Sequence, residues 1–106
     1  MSRQFIVHLT NKQRHLMTEE LILGHVAYLE ELKCQRRLPF AGPCKDGTAI
    51  MILQVESPEE AHALVAGDPF TRANYYQDRR IVEVEEATRD NHFLLDDVLA
   101  YLHRQP

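Results

Sequence analysis

A chain of 106 residues, 44 % hydrophobic and 26 % charged, is sized for one domain around a single modest core. Its net charge of −4, with basic residues clustered only at Arg36-Arg37 and Arg79-Arg80, leaves no basic face for a nucleic acid. No apolar run approaches the roughly 20 residues of a membrane span, and the polar start Met1-Ser2-Arg3-Gln4 lacks the form of a signal peptide; a soluble, cytoplasmic protein without a membrane partner is expected.

Phe5 to Leu9 reads as a strand, with Phe5, Val7 and Leu9 on one face and Ile6 and His8 on the other. Met17 to Cys34 follows as an amphipathic helix. Thr18 is its N-cap, Glu19 and Glu20 suit the positive end of its dipole, and Arg36-Arg37 suits the other end, near Gln35. Leu38 to Ala41 is a second strand with Pro39 marking an edge, and Gly42-Pro43 breaks it. Asp46-Gly47 is a tight-turn signal. Ala49 to Val55 is the strongest strand in the chain, alternating Ala49, Met51, Leu53 and Val55 against Ile50 and Ile52.

Ser57-Pro58-Glu59-Glu60 starts a second helix, with Ser57 as cap, Pro58 in the first turn and Glu60 completing a capping box. Ala61, Leu64 and Val65 face inward and Gly67 ends it. Asp68-Pro69 repeats the start grammar, so Pro69 to Asn74 is a further short helical turn. Arg79 to Glu85 is the last strand. The order β-α-β-β-α-β is the ferredoxin-like arrangement, an α+β antiparallel sheet covered by helices on one face. Ile6, Ile50, Ile52 and either Phe40 or Ile81 then point to the bare face, which predicts a homodimer packed sheet against sheet. Residues 1–86 make up this domain. In 87–106, Asp90 or Asn91 caps a C-terminal helix carrying Phe93, Leu94, Leu95, Val98, Leu99 and Leu102, which must dock on its own domain or across the dimer.

Met17, Leu21, His25, Tyr28 and Leu32 form one stripe of the first helix, and His25 stands where an aliphatic residue is expected. A buried imidazole needs a hydrogen-bond partner and titrates near neutrality. It is either a satisfied core histidine or a general acid/base. Asp68 reads first as a helix cap. One carboxylate oxygen can cap while the other accepts from an imidazole N–H, as the orienting acid of a triad does. Tyr28, one turn from His25, is a core aromatic or a pocket wall. The six histidines show no metal-ligand spacing, His62 reads as solvated, and Cys34 and Cys44 read as free thiols outside any CxxC. No metal and no phosphate-binding glycine loop is expected.

His25-x-x-Tyr28-Leu29, Leu38-x-x-Ala41-Gly42-Pro43, Asp46-Gly47, Ser57-x-Glu59-Glu60-Ala61, Asp68-Pro69-Phe70-x-x-Ala73 and a final Ile-x-Glu strand occur in that order. Together they resemble the YciI-like (YCII-related) family, from about Phe5 to Glu85. The resemblance implies a ferredoxin-like fold of the dimeric α+β barrel type and an active-site pair falling on His25 and Asp68. Tyr28 and Phe70 are the residues expected to bind the substrate beside that pair. Its better-understood members resemble muconolactone-isomerase-type and dehydrochlorinase-type enzymes. Many relatives carry a glycine at the helix-to-strand junction where this chain has Arg36-Arg37, and the tail from about Ala87 lies outside the shared pattern.

The expectation is a small cofactor-independent lyase or isomerase, with no cofactor, in which His25 moves a proton on a small organic substrate and Asp68 orients it. The competing reading is a non-catalytic dimeric module that binds a small metabolite or a partner protein.

Overall fold

The computed structural model describes residues 2–105. A four-stranded antiparallel sheet has the order β2-β3-β1-β4, built from β1 (Arg3–Lys12), β2 (Phe40–Pro43), β3 (Ala49–Val55) and β4 (Tyr76–Val84). The helices are α1 (Glu19–Cys34), α2 (Pro58–Gly67), the four-residue α3 (Pro69–Arg72) and, beyond the sheet, α4 (Asp96–His103). Alternation decides which strand face is buried. Phe5, Val7, Leu9, Met51, Leu53 and Val55 form the core with Leu32 of α1 and Ala61 and Val65 of α2.

The starts of the helices are set by local sequence. Thr18 accepts from Leu21 N–H (3.0 Å), and Ser57 accepts from Glu60 N–H (3.1 Å). The reciprocal half of the capping box falls one residue earlier than the motif implies, because Glu60 accepts from Glu56 N–H (3.0 Å). At the end of α1, Arg36 adopts the left-handed conformation (φ 60°). Its N–H donates to Lys33 O (3.0 Å) and that of Arg37 to Leu32 O (2.9 Å), which is the Schellman closure. The junction therefore keeps a glycine-type backbone with arginine in it.

Four expectations need correction. Gly42-Pro43 does not end β2; both pair with β3, opposite Ile50 and Ala49, at the sheet edge where proline needs no ladder donor. β4 starts at Tyr76, three residues before Arg79. Ile81 pairs with Val7 and packs on the core, so Val82 takes the open face instead. That face carries the row Phe40–Ile52–Ile6–Val82 across all four strands, with Phe40 and Val82 exposed.

The fourth correction concerns the tail. His92, Phe93 and Leu94 are left-handed (φ 53°, 54° and 60°), so the helix begins only at Asp96. Neither Asp90 nor Asn91 caps it: Leu95 occupies the cap position, and Asn91 instead closes a turn by accepting from Thr88 N–H (2.8 Å) and donating to Glu86 O (2.9 Å). The tail does not dock on its own domain. It leaves no residue buried and stretches the chain to 61 × 28 × 23 Å.

Candidate active site

The helical stripe aims His25 at the start of α3. Its Nδ1–H donates to Asp68 Oδ1 at 2.7 Å, because the carboxylate only accepts, and this fixes the neutral tautomer with the lone pair on Nε2. Asp68 caps α3 with the same oxygen, accepting from Phe70 N–H (2.9 Å). Division of the two tasks between the two oxygens is thus not what the structure adopts. Oδ1 does both, while Oδ2 is buried without a partner among the described residues.

The pair is asymmetric in its access. Asp68 is 1 % exposed, whereas the His25 side chain is 16 % exposed and lines a cavity of about 280 Å³. The cavity lies between α1 and the β2–β3 end of the sheet, walled mainly by apolar groups that include Leu29, Gly42, Ile50 and Met51. Phe70 lines it too and stacks on the imidazole, with centroids 3.7 Å apart and planes 4° from parallel. The stack and the Asp68 bond together leave the ring little freedom to turn, with Nε2 as its open nitrogen.

Tyr28 is placed elsewhere. Its hydroxyl donates to Leu64 O (2.6 Å), tying α1 to α2, and it is not among the residues lining the cavity. Burial, and then the Asp68 charge, push its pKa above the ordinary tyrosine value. Gly67 permits this bond: a Cβ there meets Tyr28 Oη at 2.8 Å.

Tyr76 lines the cavity and was not legible as a site residue. Alternation from Asp78 and Arg80 assigns it to the open face. It is nevertheless buried, next to a β1 segment in which Asn11 takes a left-handed conformation (φ 59°) that interrupts regular pairing. Burial also raises its pKa, so it stays a protonated donor. Among the described residues, no group of three or more His, Cys, Asp or Glu side chains is placed to hold a metal ion. Cys34 and Cys44 are free thiols, and His62 is exposed.

Strand order, antiparallel pairing and one-sided helices define a ferredoxin-like α+β domain of the dimeric α+β barrel type. The chain belongs to the YCII-related domain family, which matches residues 4–85. Among solved structures it is similar to the 5-chloro-2-hydroxyhydroquinone dehydrochlorinase of Burkholderia phenoliruptrix, determined in complex with 2,5-dihydroxybenzoquinone. That likeness has a TM-score of 0.66 at 24 % identity and covers 78 % of this chain and 94 % of that one. At this identity the likeness shows the fold. No curated protein matches the chain. No helix among the described residues is long and apolar enough to cross a membrane.

Proposed function

We propose that the chain is a small cofactor-independent enzyme of the lyase or isomerase type, with His25 as its general base and acid. The observation that carries this reading is the one-sided burial of the pair: a sealed carboxylate fixes the tautomer of an imidazole that opens on a cavity. His25 Nε2 accepts a proton from a carbon next to a carbonyl. The C–H electron pair moves toward that carbonyl, and Asp68 stabilises the imidazolium. Return of the proton at another atom completes an isomerisation; in an elimination the electron pair returns from the carbonyl to form a C=C bond as the bond to the leaving group breaks, and the imidazolium gives its proton to that group. Phe70 and Tyr76 wall the substrate, and Tyr76 can donate to its oxygen. The mainly apolar cavity suits a small ring compound, the class that the dehydrochlorinase carries in its name.

The first substrates to test are chlorinated and unchlorinated hydroxyhydroquinones, with product followed by absorbance. His25→Ala is expected to lower turnover by at least about a hundredfold and to lower the melting midpoint as well, since the sealed Asp68 carboxylate loses its imidazole partner. An alanine variant as fast as the parent sinks the reading. The alternative is a non-catalytic binding module in which the His–Asp contact only ties α1 to α3. It is favoured by the complete use of Asp68 Oδ1 as a structural acceptor. That alternative predicts that His25→Leu loses stability yet, where it stays folded, still binds 2,5-dihydroxybenzoquinone with unchanged affinity.

We also assign the open sheet face to a second copy of the chain, giving a homodimer. The apolar row Phe40–Ile52–Ile6–Val82 supports it.

A further inference from the structure

Two hollows lie back to back between α1 and the β2 edge. One is the candidate active-site cavity, of about 280 Å³. The other is an outer groove of about 240 Å³, walled by Val26, Glu30 and Lys33 of α1 and by Leu38 just before β2. Leu29 and Ala41 line both hollows, and no other residue does. The partition between them is therefore one leucine side chain and one methyl group.

The geometry of the two elements explains why the partition is thin. Leu29 follows His25 by one helical turn, so both project from the same side of α1 into the cavity. Val26, Glu30 and Lys33, spaced by four and three residues, form the neighbouring stripe along the groove. Across the gap, Ala41 pairs with Met51, which puts it on the helix-covered face of the sheet, yet it is exposed. α1 and the edge strand thus stand apart at Ala41, and a methyl group is too short to bridge them. Leu29, partly buried and packed on the core, supplies the bridge.

We infer that Leu29 sets the length of the substrate. With leucine in place the site takes a single ring with short substituents, and a second ring is kept out of the groove behind it. This rests on the reading of the cavity as the place where a ring compound meets His25. The cavity alone stands at the low end of small-molecule sites, which run from roughly 300 to 1,000 Å³; joined to the groove it lies well inside that range. An apolar wall discriminates steeply by size, since one methylene in such a pocket is worth about 10–200-fold. A second ring is far larger than a methylene. Leu29 carries no proton, so it acts on which compound binds and takes no part in the transfer step.

The test is equilibrium binding of hydroquinone and 2-phenylhydroquinone, measured by titration calorimetry under argon. The two carry the same dihydroxy ring, without and with a second ring. The full chain is expected to bind hydroquinone at least about tenfold more tightly than phenylhydroquinone. Leu29→Ala is expected to tighten phenylhydroquinone at least about tenfold. Val26→Trp, added to Leu29→Ala, refills the groove from its outer side and is expected to restore the parent preference. A general loosening of the fold is not reversed in that way. If Leu29→Ala does not fold, Leu29→Met carries the test, because its volume is similar and its unbranched chain can swing aside; a gain of at least about threefold for the two-ring compound is expected. A parent that binds both compounds equally overturns the inference. So does an unchanged preference in the Leu29 variant that folds, or a gain that survives Val26→Trp. These outcomes leave the proton-transfer reading standing, since that reading depends on His25→Ala. A parent that binds neither compound removes the ring-binding reading, and the inference falls with it.

Discussion

Asp68 Oδ1 serves two neighbours, the imidazole of His25 and the first turn of α3. Asp68→Ala removes both bonds and is expected to cost about 2–4 kcal/mol in chemical denaturation. Asp68→Asn keeps an equally good cap and an acceptor for Nδ1–H, so its stability should fall by less than about 1 kcal/mol. If His25 is the base, turnover in the asparagine variant should nevertheless fall sharply, because the charge that holds the imidazolium is gone. Gly67 and Tyr28 form a second coupled pair. Gly67→Ala alone is expected to destabilise by about 1–2 kcal/mol, since its Cβ displaces the Tyr28 hydroxyl from Leu64. In a Tyr28→Phe background the same change should be neutral or stabilising, because alanine is the better helix residue; equilibrium denaturation of the four proteins measures the coupling. Tyr28 and Tyr76 also share a pH signature. Both phenols have pKa values raised by burial in the folded chain. Their contribution to stability is therefore full below about pH 10, the unfolded value, and is lost as pH rises through the folded values. An ultraviolet titration should show Tyr28 and Tyr76 ionising late, with unfolding promoted above pH 10.

At the scale of elements, Arg36 stands in a left-handed position that costs a non-glycine residue about 1–2 kcal/mol. Glycine removes that cost and gives back part of it through the freer unfolded chain. Arg36→Gly is expected to stabilise by about 0.5–1 kcal/mol and to raise the melting midpoint by about 3–6 °C. The sequence alone placed Arg36-Arg37 at this junction, but which of them turns left-handed is decided by the Schellman bonds to Leu32 and Lys33. The same contrast runs through the fold. Strand faces at Phe5–Leu9 and Ala49–Val55, and the caps Thr18, Ser57 and Asp68, were legible because they depend on alternation and on side chains next to the backbone they bind. Tyr76, Ile81 and the start of α4 were not, because a left-handed Asn11, the pairing of β4 with β1 and the left-handed run His92–Leu94 override local periodicity. The His25–Asp68 contact spans 43 residues in sequence. Only the ordered motifs, not spacing, could suggest it.

At the scale of the whole molecule, the open face, the outer side of α1 and the tail are places where one chain alone leaves apolar surface in water. Ile52→Lys puts a charge in the middle of the Phe40–Ile52–Ile6–Val82 row without touching the core face of β3. It is expected to give a folded monomer: circular dichroism close to the parent, and half the mass by light scattering. A parent that is already monomeric at high micromolar concentration removes the homodimer reading. The extended outline bears on how such a mass must be measured. A particle of 61 × 28 × 23 Å drags more solvent than a sphere of equal mass, so it leaves a gel-filtration column early. Elution volume alone would then report a lone chain as something larger. Sedimentation separates the two quantities.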